Sequence, residues 1–164
     1  MNTMKNSTII TEKGIGLSEL EMNRVATNLQ RLLANYSIFY QNVRGYHWNV
    51  TGPQFFMLHE KFEELYTSIN GIIDEVAERI RILGENPTSK FSEYLDSTDL
   101  EENAAVNAEQ QIKEVVNGLK TLISVQREIL EVAANFNDEG TASLMGDNIS
   151  EHEKQVWMFG ALLF

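Results

Sequence analysis

Between His47 and Glu78 the chain carries two of its three histidines together with three carboxylates at ligand-like spacing. His59 with Glu63, and Asp74 with Glu78, are each four residues apart, so on a helix each pair turns its side chains toward one place. At about 100° per residue all four fall along one stripe. They cannot hold a single ion together, because Glu63 and Asp74 would lie about 16 Å apart along the helix axis. The stripe therefore carries two half-sites. A second copy of the helix, antiparallel across a two-fold axis, would set His59 and Glu63 of one chain against Asp74 and Glu78 of the other, giving two equivalent sites per dimer. Midway between the half-sites the chain reads Thr67-Ser68-Ile69-Asn70-Gly71. Thr67, Ser68 and Gly71 are small enough to let two backbones approach closely.

Imidazole with several carboxylates and no thiolate suits a first-row divalent ion of intermediate hardness, iron or manganese, over copper(I) or structural zinc. Carboxylates hold both ferrous and ferric iron and can bridge two ions, and paired metal centres in helix bundles are built from inward-facing Glu and His. Oxidation of ferrous iron is the reaction this set suits. His47 continues a stripe of Tyr36, Tyr40 and Val43 on the preceding helix, so it can point at the same region; a core histidine is its plain alternative. Trp48 and Tyr46 flank it, placed either to intercept stray oxidising equivalents or to pack at an interface. Taken singly these matches are cheap, since a carboxylate pair on an acidic helix is usually a solvated face. Glu60, Glu64 and Glu75 share the helix and point elsewhere. The constellation carries the reading.

The positioning elements follow from periodicity. Ser18 with Glu21 is a capping box that starts a first helix through Val25, Leu29, Leu32, Leu33, Tyr36, Tyr40 and Val43, with Gly45 near its end. A second helix from Phe55 to Leu83 has apolar residues at three- and four-residue intervals, Pro53 in its first turn, and Gly84 and Pro87 closing it. The uninterrupted period overrides the hairpin signal of Asn70-Gly71, and likewise of Asn117-Gly118. Phe91, Tyr94 and Leu95 within the connection from Asn86 to Thr98 fit a short helix or an ordered crossover. Thr98 with Glu101 forms a second capping box, which predicts a third helix opening there and running through Ala133. A turn from Asn135 to Gly140 leads to a fourth helix, in whose apolar stripe His152 is expected to be a satisfied core histidine. Asp138, Glu139 and Asp147 gather acid near its start.

These 164 residues make one all-α domain, 17–164, behind a polar tail, 1–16, whose basic residues are Lys5 and Lys13. No apolar run reaches membrane length, the N-terminus lacks a signal-peptide pattern, and there is no cysteine, which together fit a cytoplasmic protein. Acidic residues outnumber basic ones 24 to 13, for a net charge of −11. Such a surface repels a phosphate backbone and concentrates cations.

The runs His47-Trp48-Asn49-Val50-Thr51-Gly52-Pro53, Leu58-His59-Glu60-Lys61-Phe62-Glu63-Glu64-Leu65-Tyr66 and Asp74-Glu75-Val76-Ala77-Glu78-Arg79 resemble the Dps family, the mini-ferritins that protect DNA in starved cells. The resemblance implies a ferritin-like four-helix bundle with a short extra helix between helices two and three, assembled as a hollow homo-dodecamer of two-fold dimers. It implies a ferroxidase that oxidises iron with hydrogen peroxide in preference to oxygen and stores ferric mineral. Its ligands would be His47, His59 and Glu63 of one subunit and Asp74 and Glu78 of the next, with Trp48 beside them. Acidic residues near the start of the fourth helix would line three-fold pores, although Ser143 stands after Thr141-Ala142 where the family commonly has aspartate. At position 63 many relatives carry Asp; the longer Glu63 arm points to unequal metal positions. The polar tail is a poor version of the family's lysine-rich DNA-gripping extension, so direct DNA binding is expected to be weak or absent. The rival reading is a structural nucleoid protein that binds DNA directly through its assembly, with a vestigial metal site.

Overall fold

The structure is a computed structural model that describes residues 14–105 and 107–164. It contains α1 (Glu19–Asn49), α2 (Phe55–Ile82), a short α3 (Phe91–Ser97), α4 (Ala108–Asn135) and α5 (Glu139–Gly160), closed by a 3-10 turn at Ala161–Leu163. Among the described residues there is no strand. The polar tail read from the sequence, with Lys5 and Lys13, lies almost wholly outside the described residues.

The apolar stripes do what their spacing predicts. Val25, Leu29, Leu32, Tyr36 and Val43 of α1, Leu58, Phe62, Ile69, Val76 and Ile80 of α2, Ile112, Val115, Leu119 and Leu122 of α4, and Met145 and Phe159 of α5 are buried in one cluster. Each fully buried side chain of this size stabilises by about 1.5–3 kcal/mol. α1 packs along α2 and α4 along α5, and α1 against α4 joins the two hairpins into a four-helix bundle, with α3 packed against α1. The capping box forms as expected: Glu21 N donates to Ser18 Oγ (3.3 Å), and Ser18 N donates to the Glu21 carboxylate (2.8 Å).

The third long helix does not open at Thr98. It begins at Ala108, with Asn107 as its cap and the Gln110 N–H donating to Asn107 Oδ1 (2.9 Å). Thr98 instead ends α3, and its hydroxyl bonds Asn35 Oδ1 (3.2 Å) while accepting from Leu100 N (3.0 Å). Contacts with α1 hold the following stretch out of helix: Arg31 clamps Asp99 (2.8 and 3.0 Å), Asn35 Nδ2 donates to Asp99 (2.8 Å), Asn42 Nδ2 donates to Glu101 O (2.9 Å), and Asn103 N donates to Asn42 Oδ1 (3.0 Å). The local capping signal is weaker than this tertiary set. Pro53 likewise falls in the turn before α2 rather than inside its first turn.

Gly118 lies in mid-helix because the α1–α4 contact leaves no room for a side chain. A Cβ there would stand 2.6 Å from two ring carbons of buried Phe39. Alanine would gain about 1 kcal/mol of helix propensity yet force the ring to move, an overpacking cost of about 1–3 kcal/mol. Gly118→Ala is therefore expected to be neutral to destabilising by up to about 2 kcal/mol, read as a lower urea midpoint.

A candidate metal centre between the first two long helices

α1 runs past Gly45 to Asn49, and Val50 N closes it on Tyr46 O (2.8 Å). Gly52, at φ 99°, supplies the left-handed residue of the turn, and Phe55 N returns to Gly52 O (3.0 Å). This tight reversal sets the last turn of α1 beside the first turn of α2 and brings together two histidines twelve residues apart. His47 Nδ1 faces His59 O at 2.7 Å, and His59 Nδ1 faces His47 O at 2.9 Å. A carbonyl oxygen only accepts, so each Nδ1 carries its proton and each Nε2 keeps a lone pair for a metal. Each histidine thus fixes the other's tautomer through its backbone, the role usually filled by outer-shell carboxylates or carbonyls.

The rings are clamped from both sides. His47 and His59 stack at 3.8 Å with 20° between planes; Phe55 stacks on His59 (5.1 Å), and Tyr66 sets its edge against His47 (5.3 Å). His47 is buried, His59 half-buried and Glu63 exposed, and one ligand atom from each lies within 4.8 Å of the others. Two atoms on one ion at about 2.1 Å stand at most about 4.2 Å apart, so small rotations of the exposed Glu63 arm close the set on one ion, or share it between two neighbouring ions. Two neutral imidazoles and a carboxylate fit ferrous iron. They fill only part of a coordination shell and leave one side open to solvent. Beside Glu63 a shallow depression of about 580 Å³ is lined by Glu60, Glu64, Thr67 and Ser68.

Asp74 and Glu78 are exposed on the same helix and lie outside this cluster, as the axial spacing requires. Trp48 is 57 % exposed with the Arg44 guanidinium 4.8 Å over its ring, so its neighbour is a cation rather than the histidine pair. Tyr46 turns into the core against Phe62 (6.0 Å), where burial pushes its hydroxyl well above the usual tyrosine range. It stands beside His47 in sequence only. The walls Phe55 and Tyr66 and the reciprocal histidine bonds were not read from the sequence. Phe55 stands four residues before His59, a stacking distance on a helix, and that signal was available.

Asp138 turns into the chain rather than out to its surface. Its buried carboxylate caps α5 by accepting from Thr141 N (3.0 Å) and Thr141 Oγ1 (2.6 Å), and receives Arg79 Nη2 from α2 (2.5 Å). Gly140 leaves space for the Arg79 guanidinium, which a Cβ would approach to 3.0 Å. Glu139 and Asp147 are exposed.

Ferritin-like domains match this chain over residues 26–163. A "DNA protection during starvation protein" of Porphyromonas gingivalis is 44% identical over 89% of this chain and 92% of its own length. The crystal structure of a Dps protein from Vibrio cholerae O1, described as a member of a broad superfamily of ferritin-like diiron-carboxylate proteins, superposes with a TM-score of 0.90 at 46% identity, covering 92% of this chain and 95% of that one. A Dps protein from Bacillus brevis gives a TM-score of 0.86 at 36% identity over 88% and 98%. The fold and the comparisons define a ferritin-like protein with a candidate histidine–carboxylate centre, and within that class the chain belongs to the Dps family.

Proposed function

We propose that this chain is a ferroxidase and iron-storing mini-ferritin, which oxidises ferrous iron at sites shared between subunits, with hydrogen peroxide as preferred oxidant, and keeps the ferric product inside a hollow dodecamer. The observation that carries this reading is the convergence of His47, His59 and Glu63 with both Nε2 lone pairs free. Their open side would be closed by Asp74 and Glu78 of a two-fold neighbour. Supporting that pairing, Thr67, Ser68 and Gly71 are exposed midway along α2, and nothing lies within 4 Å of a Cβ built on Gly71.

Iron enters as substrate. His47 and His59, locked by each other's carbonyl, offer neutral donors without reorganisation, and the carboxylates favour the ferric product because they add negative charge where the ion gains positive charge. Two ferrous ions side by side supply both electrons that peroxide needs and so avoid hydroxyl radical. Removal of iron and peroxide protects DNA without gripping it, in keeping with a net charge of −11.

The native particle is expected at twelve times 18.7 kDa, about 224 kDa, to oxidise ferrous iron on addition of peroxide far faster than buffer, and to leave DNA unretarded at physiological salt. A monomer with buffer-like iron oxidation would overturn the proposal.

A further inference from the structure

At the middle of the bundle lies a buried polar group that the iron site does not use. Tyr36 and Gln126 are fully buried and His152 is 1% exposed. Tyr36 Oη stands 2.7 Å from His152 Nε2 and accepts from Gln126 Nε2 at 2.7 Å. If His152 Nε2 carried the proton, the Tyr36 O–H would have no acceptor in addition to the partnerless Nδ1. With the phenol donating to Nε2, only Nδ1 and Gln126 Oε1 remain without a protein partner, so the phenol is the donor. Burial lowers the His152 pKa to about 4 and raises that of Tyr36 far above the usual range. The pair is therefore a neutral phenol hydrogen-bonded to a neutral imidazole base.

A phenol that loses an electron becomes a strong acid, and a base already in hydrogen-bond contact lets the proton leave in the same event. Among the described residues Tyr36 is the tyrosine with such a base: the Tyr94 hydroxyl donates to a carbonyl, Thr88 O (2.6 Å). Tyr36 lies about 16 Å from His47 along α1, with aromatic rings between them. Tyr66 is 5.3 Å from His47, Tyr40 is 5.9 Å from Tyr66, and Tyr40 sits one turn from Tyr36.

We infer that Tyr36, with His152 as its proton acceptor, is a one-electron reservoir that completes the reduction of peroxide when an iron site holds only one ferrous ion. This rests on the ferroxidase reading above. Reduction of hydrogen peroxide to two hydroxide ions takes two electrons. The single ferrous ion gives one and becomes ferric; Tyr36 gives the other by way of Tyr66 and Tyr40, while its phenolic proton passes to His152 Nε2. The products are ferric iron, a neutral Tyr36 phenoxyl, a His152 imidazolium and two hydroxides. The next ferrous ion returns an electron to Tyr36, the proton moves back, and a second ferric ion results. Half-loaded sites are the state that unequal metal positions favour.

The test loads the intact assembly anaerobically with one ferrous ion per site, adds hydrogen peroxide, and freezes the mixture for electron paramagnetic resonance beside a spin-trap assay. The wild type is expected to give a hydrogen-bonded tyrosyl radical. In Tyr36→Phe that signal falls at least fivefold per iron oxidised and trapped hydroxyl radical rises severalfold. His152→Gln keeps a polar partner without a base and is expected to show the same loss, while Tyr94→Phe keeps the signal. No tyrosyl radical in a wild type that oxidises iron quickly, or an equal yield in a folded Tyr36→Phe, overturns the reservoir and spares the ferroxidase. Should Tyr36→Phe fail to assemble, His152→Gln and the hydrogen-bond signature of the wild-type radical decide the matter. Wild-type iron oxidation no faster than buffer overturns both.

Discussion

Replacing His59 and Glu63 together by alanine is expected to lower the rate of peroxide-driven ferrous oxidation by about 100-fold or more. Loss of an outer-shell partner alone costs about 10–100-fold in metal affinity or activity, and here two of the three ligands held by one chain are removed. The fold should survive. Glu63 is exposed and His59 half-buried, neither contributes to the buried apolar cluster, and the bundle rests on residues such as Leu58, Phe62 and Leu65 from the adjacent apolar arc of the same helix. The structural consequences are local: the His47 carbonyl loses the His59 N–H, and His47 and Phe55 lose the ring they stack on. Helical circular dichroism unchanged beside stopped-flow traces that match buffer is the expected outcome. A variant that still oxidises iron at the wild-type rate would remove these residues from the site.

Asp138→Ala is expected to cost about 3–5 kcal/mol. The carboxylate is 2% exposed, takes the Arg79 guanidinium at 2.5 Å, and caps α5 through Thr141. Its removal leaves the 17%-exposed Arg79 charge beside an apolar methyl, and breaking a buried pair from one side costs about that much. Loss of the cap alone accounts for about 1 kcal/mol. Asp138→Asn keeps an acceptor for the Thr141 N–H and should recover part of the cap but little of the pair. Urea denaturation of the two variants separates these contributions. If both unfold at the wild-type midpoint, the α2–α5 lock contributes nothing and Asp138 is free for another task.

The difference between these residues explains how far the sequence could be read. Helix periodicity reveals each long helix, though not the start of the third, because the core repeats it: Leu58, Phe62, Leu65 and Ile69 are buried at the spacing that predicted them. The proximity of His59 and Glu63 in the candidate site was legible for a related reason, since they are neighbours on one helix and their relation is local. Thr98 was misread because its capping pattern with Glu101 is genuine as sequence but loses to Arg31, Asn35 and Asn42, which are 59 to 68 residues from the groups they hold. Asp138 was grouped with Glu139 and Asp147 as acid at the start of the fourth helix, and its pairing with Arg79 was not foreseen because that counter-charge is 59 residues away. The interlock of His47 and His59 needs the Gly52 turn in three dimensions before the two carbonyls can be seen to face the two rings. His152 was expected to be satisfied and is buried as expected, yet only Nε2 has a protein partner.

Whether the centre is shared between chains is tested most directly by complementation. One variant lacks His59 and Glu63, the other Asp74 and Glu78; each alone is expected to be inactive. When the two are unfolded, mixed in equal amounts and reassembled, half of the two-fold pairs are mixed, and in each mixed pair one site receives intact ligands from both chains while the other receives neither. About one quarter of the wild-type rate per subunit should return. No recovery in a mixture that assembles normally, or full activity of the Asp74 and Glu78 variant by itself, would contradict a centre built from two chains.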